Sequence, residues 1–411
     1  MRNDSVLSEF IKGVALKYAS KVETDPKTSN QHELNGVTPL KAMLGTAKRM
    51  FPRVRFISFD ENDSVTAAEG SATWYDARGN HPARTEYRLY YSENEAMSSV
   101  RAGDLIVVAL LENDDLMIAS APSGSVAESE LALLFAPADS AIEERFTVRT
   151  AESMSNVHLS FVTRSILDLL EIDAFEKFEG FYLEDMINRF GGVFPGTRAF
   201  SEYAANTLAE IPEDPDEALP LLMEREEVLF RLYEKTEAER RLANGFDSVE
   251  EFVEYAKSLM NRRYSRAGHA FENHLARLFS REGLHFSRGP TTELHKRPDF
   301  VFPSIEAYRT LPDGDVGKFV TVLGAKTSCK DRWRQILNEA ERVETKHLAT
   351  IQPALSNNQL DEMRDAGVVL VVPEEVRLTY QAERRNPVLN LAEFIDALKN
   401  RQRALDGKVI R

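Results

Sequence analysis

The feature that most constrains this chain is a change of texture along its length. Up to about residue 175 the apolar residues come in short runs rich in β-branched and aromatic types, among them "PRVRFISF", "SATWYDA", "TEYRLYYS", "GDLIVVALLEN" and "DLMIASA", set apart by Gly, Asn and Asp. From about residue 220 onward, helical periodicity alternates with strand-like runs: "SRAGHAFENHLARLFSREG", "PDFVFP", "KFVTVLGAK", "DRWRQILNEAERVE", "HLATIQP", "SNNQLDEMRDAG" and "VVLVVP". The first pattern predicts a compact mainly-β barrel or sandwich with one helix over Pro39–Phe51. The second predicts an α/β core, a mixed sheet with helices on both sides. Between them "GGVFPG" and the acidic, proline-punctuated "AEIPEDPDEALP" read as breakers, with a hinge near Gly191. The expected organisation is an N-terminal domain over 1–175, a linker over 176–192 and a second domain over 193–411, with helices at Leu221–Leu242 and Ser248–Met260.

Charge is spread unevenly along the chain. The chain carries a net −15, yet residues 101–250 hold 12 Lys and Arg against 31 Asp and Glu, while residues 251–350 hold 17 against 13. Screening confines charge effects to about 10 Å, so a local basic surface can bind phosphate on an acidic protein. A single cysteine, Cys329, excludes an internal disulfide and a thiolate metal cluster, and with no signal-peptide pattern and no run of ~20 apolar residues a cytoplasmic protein is expected.

The densest chemistry lies in "GAKTSCKDRWRQILNE", Gly324–Glu339. Asp299 opens one expected strand, Lys326 closes the next, and Glu339 lies thirteen positions later on an expected helix whose buried stripe is Trp333, Ile336, Leu337, Ala340 and Val343. Two carboxylates converging on a point suit a hard divalent cation such as Mg²⁺, and a lysine beside them favours hydroxide formation and faces a scissile phosphate. Glu272, on the preceding helix, is a candidate fourth member through a bridging water. Each of these residue types is far more often a solvated surface residue. It is their joint placement at element ends that points to a metal-dependent nuclease. Lys330, Asp331 and Arg332 follow at an expected helix start. Asp331 can serve there simply as a cap, or the trio can read C·G pairs in the major groove, arginine and lysine gripping guanine and aspartate accepting from cytosine.

With "NRRYSRAGHAFENHLARLF", "RPDFVFPSIEAY" and "GAKTSCKDRWRQILNEA" in order, and "GFDSVEEFVEYAKSLMNRR" and "MRDAGVVLVVP" extending the match, most of residues 193–376 closely resembles the catalytic domain of the EcoRII-type restriction endonucleases. The resemblance implies a restriction-endonuclease-like core of the PD-(D/E)xK superfamily, in which the strand carboxylate two residues before the lysine is replaced here by Gly324 and the acid comes from Glu339. It implies Asp299, Lys326 and Glu339 as catalytic, Asp299 and Glu339 as metal-binding, Glu272 in support, and Lys330, Asp331 and Arg332 as readers of a CC-centre-GG site. Relatives extrude the central base pair, and Arg225 is the candidate to stack on a flipped base.

The N-terminal part resembles, more faintly, the family's effector domain, a DNA-binding pseudobarrel, best at "TEYRLYYS"; where relatives carry a basic loop this chain has "ENEAMSSVRAGD". Arg84, Arg88, Lys48 and Arg49 are its candidate DNA contacts, while the neighbouring tyrosines can equally be core residues. The expectation is a type II enzyme making Mg²⁺-dependent double-strand cuts as a homodimer, controlled by a second DNA copy on the N-terminal domain, in a host that carries a cognate methyltransferase. A repair or mobile-element nuclease of the same fold and a catalytically inert DNA-binding regulator are the rival readings.

Overall fold

A computed structural model describes residues 6–24, 32–34, 37–61, 64–78, 84–136, 142–154, 161–172, 180–191, 194–385 and 388–409. The chain divides into two compact units, Met1–Ala174 with Ala354–Ser356 and Phe175–Pro353 with Asn357–Arg411.

The first unit is built on an eight-stranded sheet. Its strands are β1 (Ile11–Tyr18), β2 (Glu33–Leu34), β3 (Arg49–Phe59), β4 (Val65–Asp76), β5 (Tyr87–Tyr91), β6 (Leu105–Leu111), β7 (Leu116–Ala121) and β8 (Thr147–Thr150), in the order β2-β5-β4-β3-β7-β6-β1-β8. The β3–β7 pair is parallel and the other pairs are antiparallel. The unbroken apolar runs of β6 and β7 take interior places, buried almost throughout. They form the hairpin that "END" announces. On β5 the period-two alternation resolves the tyrosines. Leu89 is buried, Tyr87 stacks on Trp74 at 4.9 Å and Tyr91 packs on the core, whereas Tyr90 is exposed. The helix expected over Pro39–Phe51 is much shorter. It ends at Leu44, because Gly45 adopts φ 79°, a left-handed conformation that stops the helix, and Arg49 already belongs to β3.

In the second unit, helices come first: Gly180–Phe190, Thr197–Asn206, Pro215–Asn244 and Val249–Arg281. Much of the stretch read as a linker is therefore helix, and Met186 is buried among Phe200, Tyr203, Leu229, Phe230 and Tyr233. The acidic "PEDPDEALP" opens a 30-residue helix, since Asp214 accepts a cap bond from the Asp216 amide and Pro215 sits at the first helical position, where no amide donor is needed. Two helices expected between Ser248 and Gly283 are one of 33 residues. Its start is a reciprocal cap in which Ser248 Oγ accepts from the Glu251 amide while Glu251 accepts from the Asp247 amide.

These helices cover a six-stranded mixed sheet of β9 (Ser287–Arg288), β10 (Phe300–Phe302), β11 (Thr321–Ala325), β12 (Lys346–Ala349), β13 (Val368–Val372) and β14 (Leu389–Asn390), ordered β14-β13-β12-β11-β10-β9. Strands β9 to β11 run antiparallel and β11 to β14 parallel. Lys318 and Phe319, expected to begin β11, instead end the helix Asp313–Phe319. Alternation along β10 separates two cores. Phe300 and Phe302 lie 5.4 and 5.1 Å from Phe279 of the long helix, while Val301 packs with Val322, Tyr308, Val316 and Val343. Among the described residues no helix is long and apolar enough to cross a membrane.

Candidate active site

The site forms where β10 and β11 end side by side. Pairing of Phe300 with Leu323 continues one step to bring Asp299 alongside Gly324. Asp299 Oδ2 then accepts the Ala325 amide at 2.6 Å and the Lys326 ammonium at 2.9 Å. The backbone bond fixes the carboxylate, and the ion pair is only partly exposed, at 22% for Lys326 and 16% for Asp299.

Gly324 has a steric reason to lack a side chain. A Cβ there would stand 2.6 Å from Cγ2 of Ile336, whose side chain packs onto the strand. A strand carboxylate two residues before the lysine is thus incompatible with this packing, and the second acid has to arrive from elsewhere.

It arrives as Glu339, although not on an α-helix. Residues Lys330–Asn338 form a 3-10 helix, and Glu339 is its C-cap with extended backbone, φ −85° and ψ 136°. Four of the five expected stripe residues, Trp333, Ile336, Ala340 and Val343, are in the core, while Leu337 is only half-buried. One carboxylate oxygen of Glu339, Oε2, is buried without a hydrogen-bond partner. Burial first, and then the negative charge of Asp299, push the Glu339 carboxyl up to about 7. The positive charges of Lys326, Lys296 and Lys346 act the other way and are outweighed.

An orphaned, destabilised carboxylate beside a second carboxylate is a place where bound positive charge would be stabilising. Asp299 and Glu339 supply oxygen donors only, which fits a hard cation that keeps several waters. Among the described residues no group of three or more His, Cys, Asp or Glu side chains could hold a metal ion, so a cation here would rest on these two carboxylates and water.

The other expected residues are placed as follows. Glu272 is ion-paired to Arg288 at 3.2 Å, and Arg288 lies opposite Phe300, next to Asp299 in the chain. Its neighbourhood is that of the site, yet its ion-pair partner is an arginine. Lys330, Asp331 and Arg332 open the 3-10 helix, and their side chains lie outside the described residues. Arg225 is engaged within its own unit. Its Nε donates to Thr207 Oγ1 at 2.7 Å, and its guanidinium lies 4.2 Å from the Tyr182 ring centre. In the first unit, Arg88 is held by Glu33 and Glu86, and Arg49 by Asp114, while Lys48 and Arg84 are exposed.

Sequence reasoning overlooked Lys296 and Lys346, which frame Glu339, and Gln352, whose Oε1 accepts the Cys329 amide at 2.5 Å where the 3-10 helix begins. For Lys346 a signal existed: a lysine heading the strand-like run "KHLAT".

Residues 230–395, which contain Glu272, Asp299, Lys326 and Glu339, match the family described as EcoRII C terminal. Within that class, the type II restriction enzyme EcoRII of Escherichia coli is 42% identical over 207 residues, 50% of this chain and 50% of that one. The chain thus spans about half the length of the curated relative it matches. Among solved structures, the metal-depleted Ecl18kI complex with uncleaved DNA is similar at 20% identity and a TM-score of 0.44, over 55% of this chain and 85% of that chain. The PspGI–substrate DNA complex follows at 17% identity and a TM-score of 0.38, over 54% and 91%. Arg225, Lys48, Arg49, Arg84 and Arg88 lie outside the family-matched segment.

Proposed function

We propose that this protein is a type II restriction endonuclease that makes Mg²⁺-dependent double-strand cuts in DNA at a short CC-centre-GG-like site. The observation that carries the reading is the Asp299–Lys326 ion pair at one sheet end, together with a Glu339 carboxylate that feels the charges of both and has one buried oxygen left unsatisfied. The 42% identity to a type II restriction enzyme across half the chain supports the same class. Asp299 and Glu339 would hold the cation. When bound, that ion supplies charge to offset the negative charge growing on the phosphate during in-line attack. Lys326 lends positive charge to the attacking water and to the scissile phosphate. Asp299, fixed by the Ala325 amide, keeps that ammonium in place. Glu272 would act in support through water.

Lys330, Asp331 and Arg332 would read the C·G pairs from the helix start that follows Lys326 in the chain, and Arg225 would stack on an extruded base after leaving Tyr182. Cutting both strands of a near-palindrome calls for a homodimer with one site per strand. The first unit would be the effector domain, a pseudobarrel over 1–175 followed by a connector to a catalytic domain over 193–411, and would bind a second DNA copy. Of the four candidates, Lys48 and Arg84 are exposed, whereas Arg88 and Arg49 would have to exchange carboxylate partners for phosphate. A cognate methyltransferase and a cytoplasmic setting complete the reading.

The test is digestion of a defined plasmid with and without Mg²⁺, followed by sequencing of the ends. Discrete ends beside C-rich sites, lost without Mg²⁺ and in Lys326→Ala and Asp299→Asn, are expected. Random ends, or ends that persist in both variants, would overturn the proposal.

A further inference from the structure

Glu339 faces a positional difficulty that its chemistry makes acute. It follows a 3-10 helix in extended conformation, and Ala340 after it takes φ 54°, the left-handed region that a residue with a Cβ enters at a cost. No regular hydrogen-bond ladder runs through this turn to hold the carboxylate in one place.

Two lysines hold it instead. Lys296 Nζ donates to the Asn338 carbonyl at 2.9 Å, and Lys346 Nζ donates to the Ala340 carbonyl at 2.8 Å and also to the Val343 carbonyl. The residues immediately before and after Glu339 are therefore each gripped by an ammonium from outside the turn. Lys346 stands at the start of β12 and is 4% exposed, with its amide bonded to the Gly367 carbonyl in the turn before β13. Lys296 lies three residues before Asp299, in a turn closed by the Thr292 amide on its carbonyl. One lysine thus ties the Glu339 turn to the middle of the sheet, and the other ties it to the segment that delivers Asp299.

Burying an ammonium is costly and is tolerated only with good partners. Burial works against the Lys346 charge, while the carboxylates of Glu293, Glu339 and Glu341 favour it. That charge adds to those opposing the repulsion between Asp299 and Glu339.

We propose that Lys296 and Lys346 are positioning residues that clamp the Glu339 turn, setting the distance between the two carboxylates and hence cation affinity. The inference rests on the assignment of Asp299 and Glu339 as the cation-holding pair. Its test measures Mn²⁺ binding to the full-length protein by electron paramagnetic resonance, alongside single-turnover cleavage as a function of Mg²⁺. Lys296→Met and Lys346→Met should each weaken Mn²⁺ binding by about tenfold or more, in the range seen when groups behind metal ligands are removed. Cleavage should need correspondingly more Mg²⁺, while DNA affinity in Ca²⁺ stays unchanged. Lys296→Arg, which keeps a cationic donor, should restore most of the loss.

If Lys346→Met does not fold, Lys296→Met and its arginine rescue decide the matter. Unchanged Mn²⁺ affinity in Lys296→Met overturns the clamp. Equal weakening in Lys296→Met and Lys296→Arg also overturns it, because the donated bond would then not be the cause. Glu339→Gln separates the two levels. If it leaves Mn²⁺ binding intact, the metal assignment itself fails; if it abolishes binding while the lysine variants do not weaken it, only the clamp fails.

Discussion

At the scale of single residues, Glu339 is the most revealing side chain, because its burial and its neighbour both oppose its charge. Below about pH 4.5 it is protonated in folded and unfolded chains alike and costs nothing. Between 4.5 and about 7 the folded protein holds a proton that the unfolded chain has released, so this group's contribution to stability declines as pH rises and levels off above 7. Glu339→Gln removes that dependence. In EDTA its melting temperature should exceed that of the parent by a few degrees at pH 8 and match it near pH 4, while cleavage is lost at both. A parent curve flat from pH 5 to 8 would contradict this. Lys326→Ala acts in the opposite sense, stranding Asp299 beside Glu339 without its ion-pair partner. Cleavage should fall at least ~10³-fold in a single-turnover assay while DNA binding in Ca²⁺ persists, because losing a charge aligned on the transition state costs several kcal/mol.

At the scale of elements, two contacts decide whether the site is assembled. The first is the 3-10 helix against β11 through Gly324 and Ile336. Gly324→Ala forces an overlap there and should destabilise the protein by about 1–3 kcal/mol in denaturant unfolding. Ile336→Ala, which removes the Cγ2 methyl, should couple to it, so that the double variant is more stable than the sum of the two losses predicts; additivity of the two changes would show that the contact is not the cause. The second is Asp216, buried in the first turn of the Pro215–Asn244 helix. Its carboxylate accepts the amides of Glu374, Leu391 and Ala392, and so secures the start of the C-terminal helix Leu391–Val409. Asp216→Ala would leave three amides without acceptors, and a loss of about 2 kcal/mol or more is expected, read as a lower urea midpoint with catalytic constants unchanged in the folded fraction. A different pair, the Pro215–Asn244 and Val249–Arg281 helices, carries a buried ionic group. Glu226 sits 2.8 Å from His274, and Arg266 lies over the Phe230 ring at 3.9 Å, a set of partners that fixes how the two long helices pack.

At the scale of the whole molecule, the acidic excess of residues 101–250 spans the end of the first unit and the start of the second, while the basic excess of 251–350 lies wholly within the second. That basic segment would carry the phosphate binding, so cleavage rate should fall steeply with ionic strength. If the first unit binds a second copy of the site, a short duplex bearing that site should speed cleavage of a plasmid that carries only one. A duplex with the site scrambled should not. Equal effects from both duplexes would remove the case for an effector role. A basic face on β5 has little support from packing, since Arg88 there is already committed to Glu33 and Glu86.

Much was legible from local pattern. Short runs rich in β-branched and aromatic residues marked β3 to β7 and β10 to β13, and the strand-end positions of Asp299 and Lys326 followed from where those runs begin and end. Helix ends were less legible. Pro215 read as a breaker although a proline at the first helical position suits a helix, and the break expected between Met260 and Ser265 does not exist because nothing there interrupts the backbone bonds. What the order of residues could not decide was how Glu339 reaches Asp299. That depends on a turn gripped by Lys296 and Lys346 and on the missing side chain at Gly324, contacts between segments far apart in the chain. Local propensity determines which stretches become strands, while the meeting of two like charges in a half-buried corner is settled only by the packing that pays their desolvation.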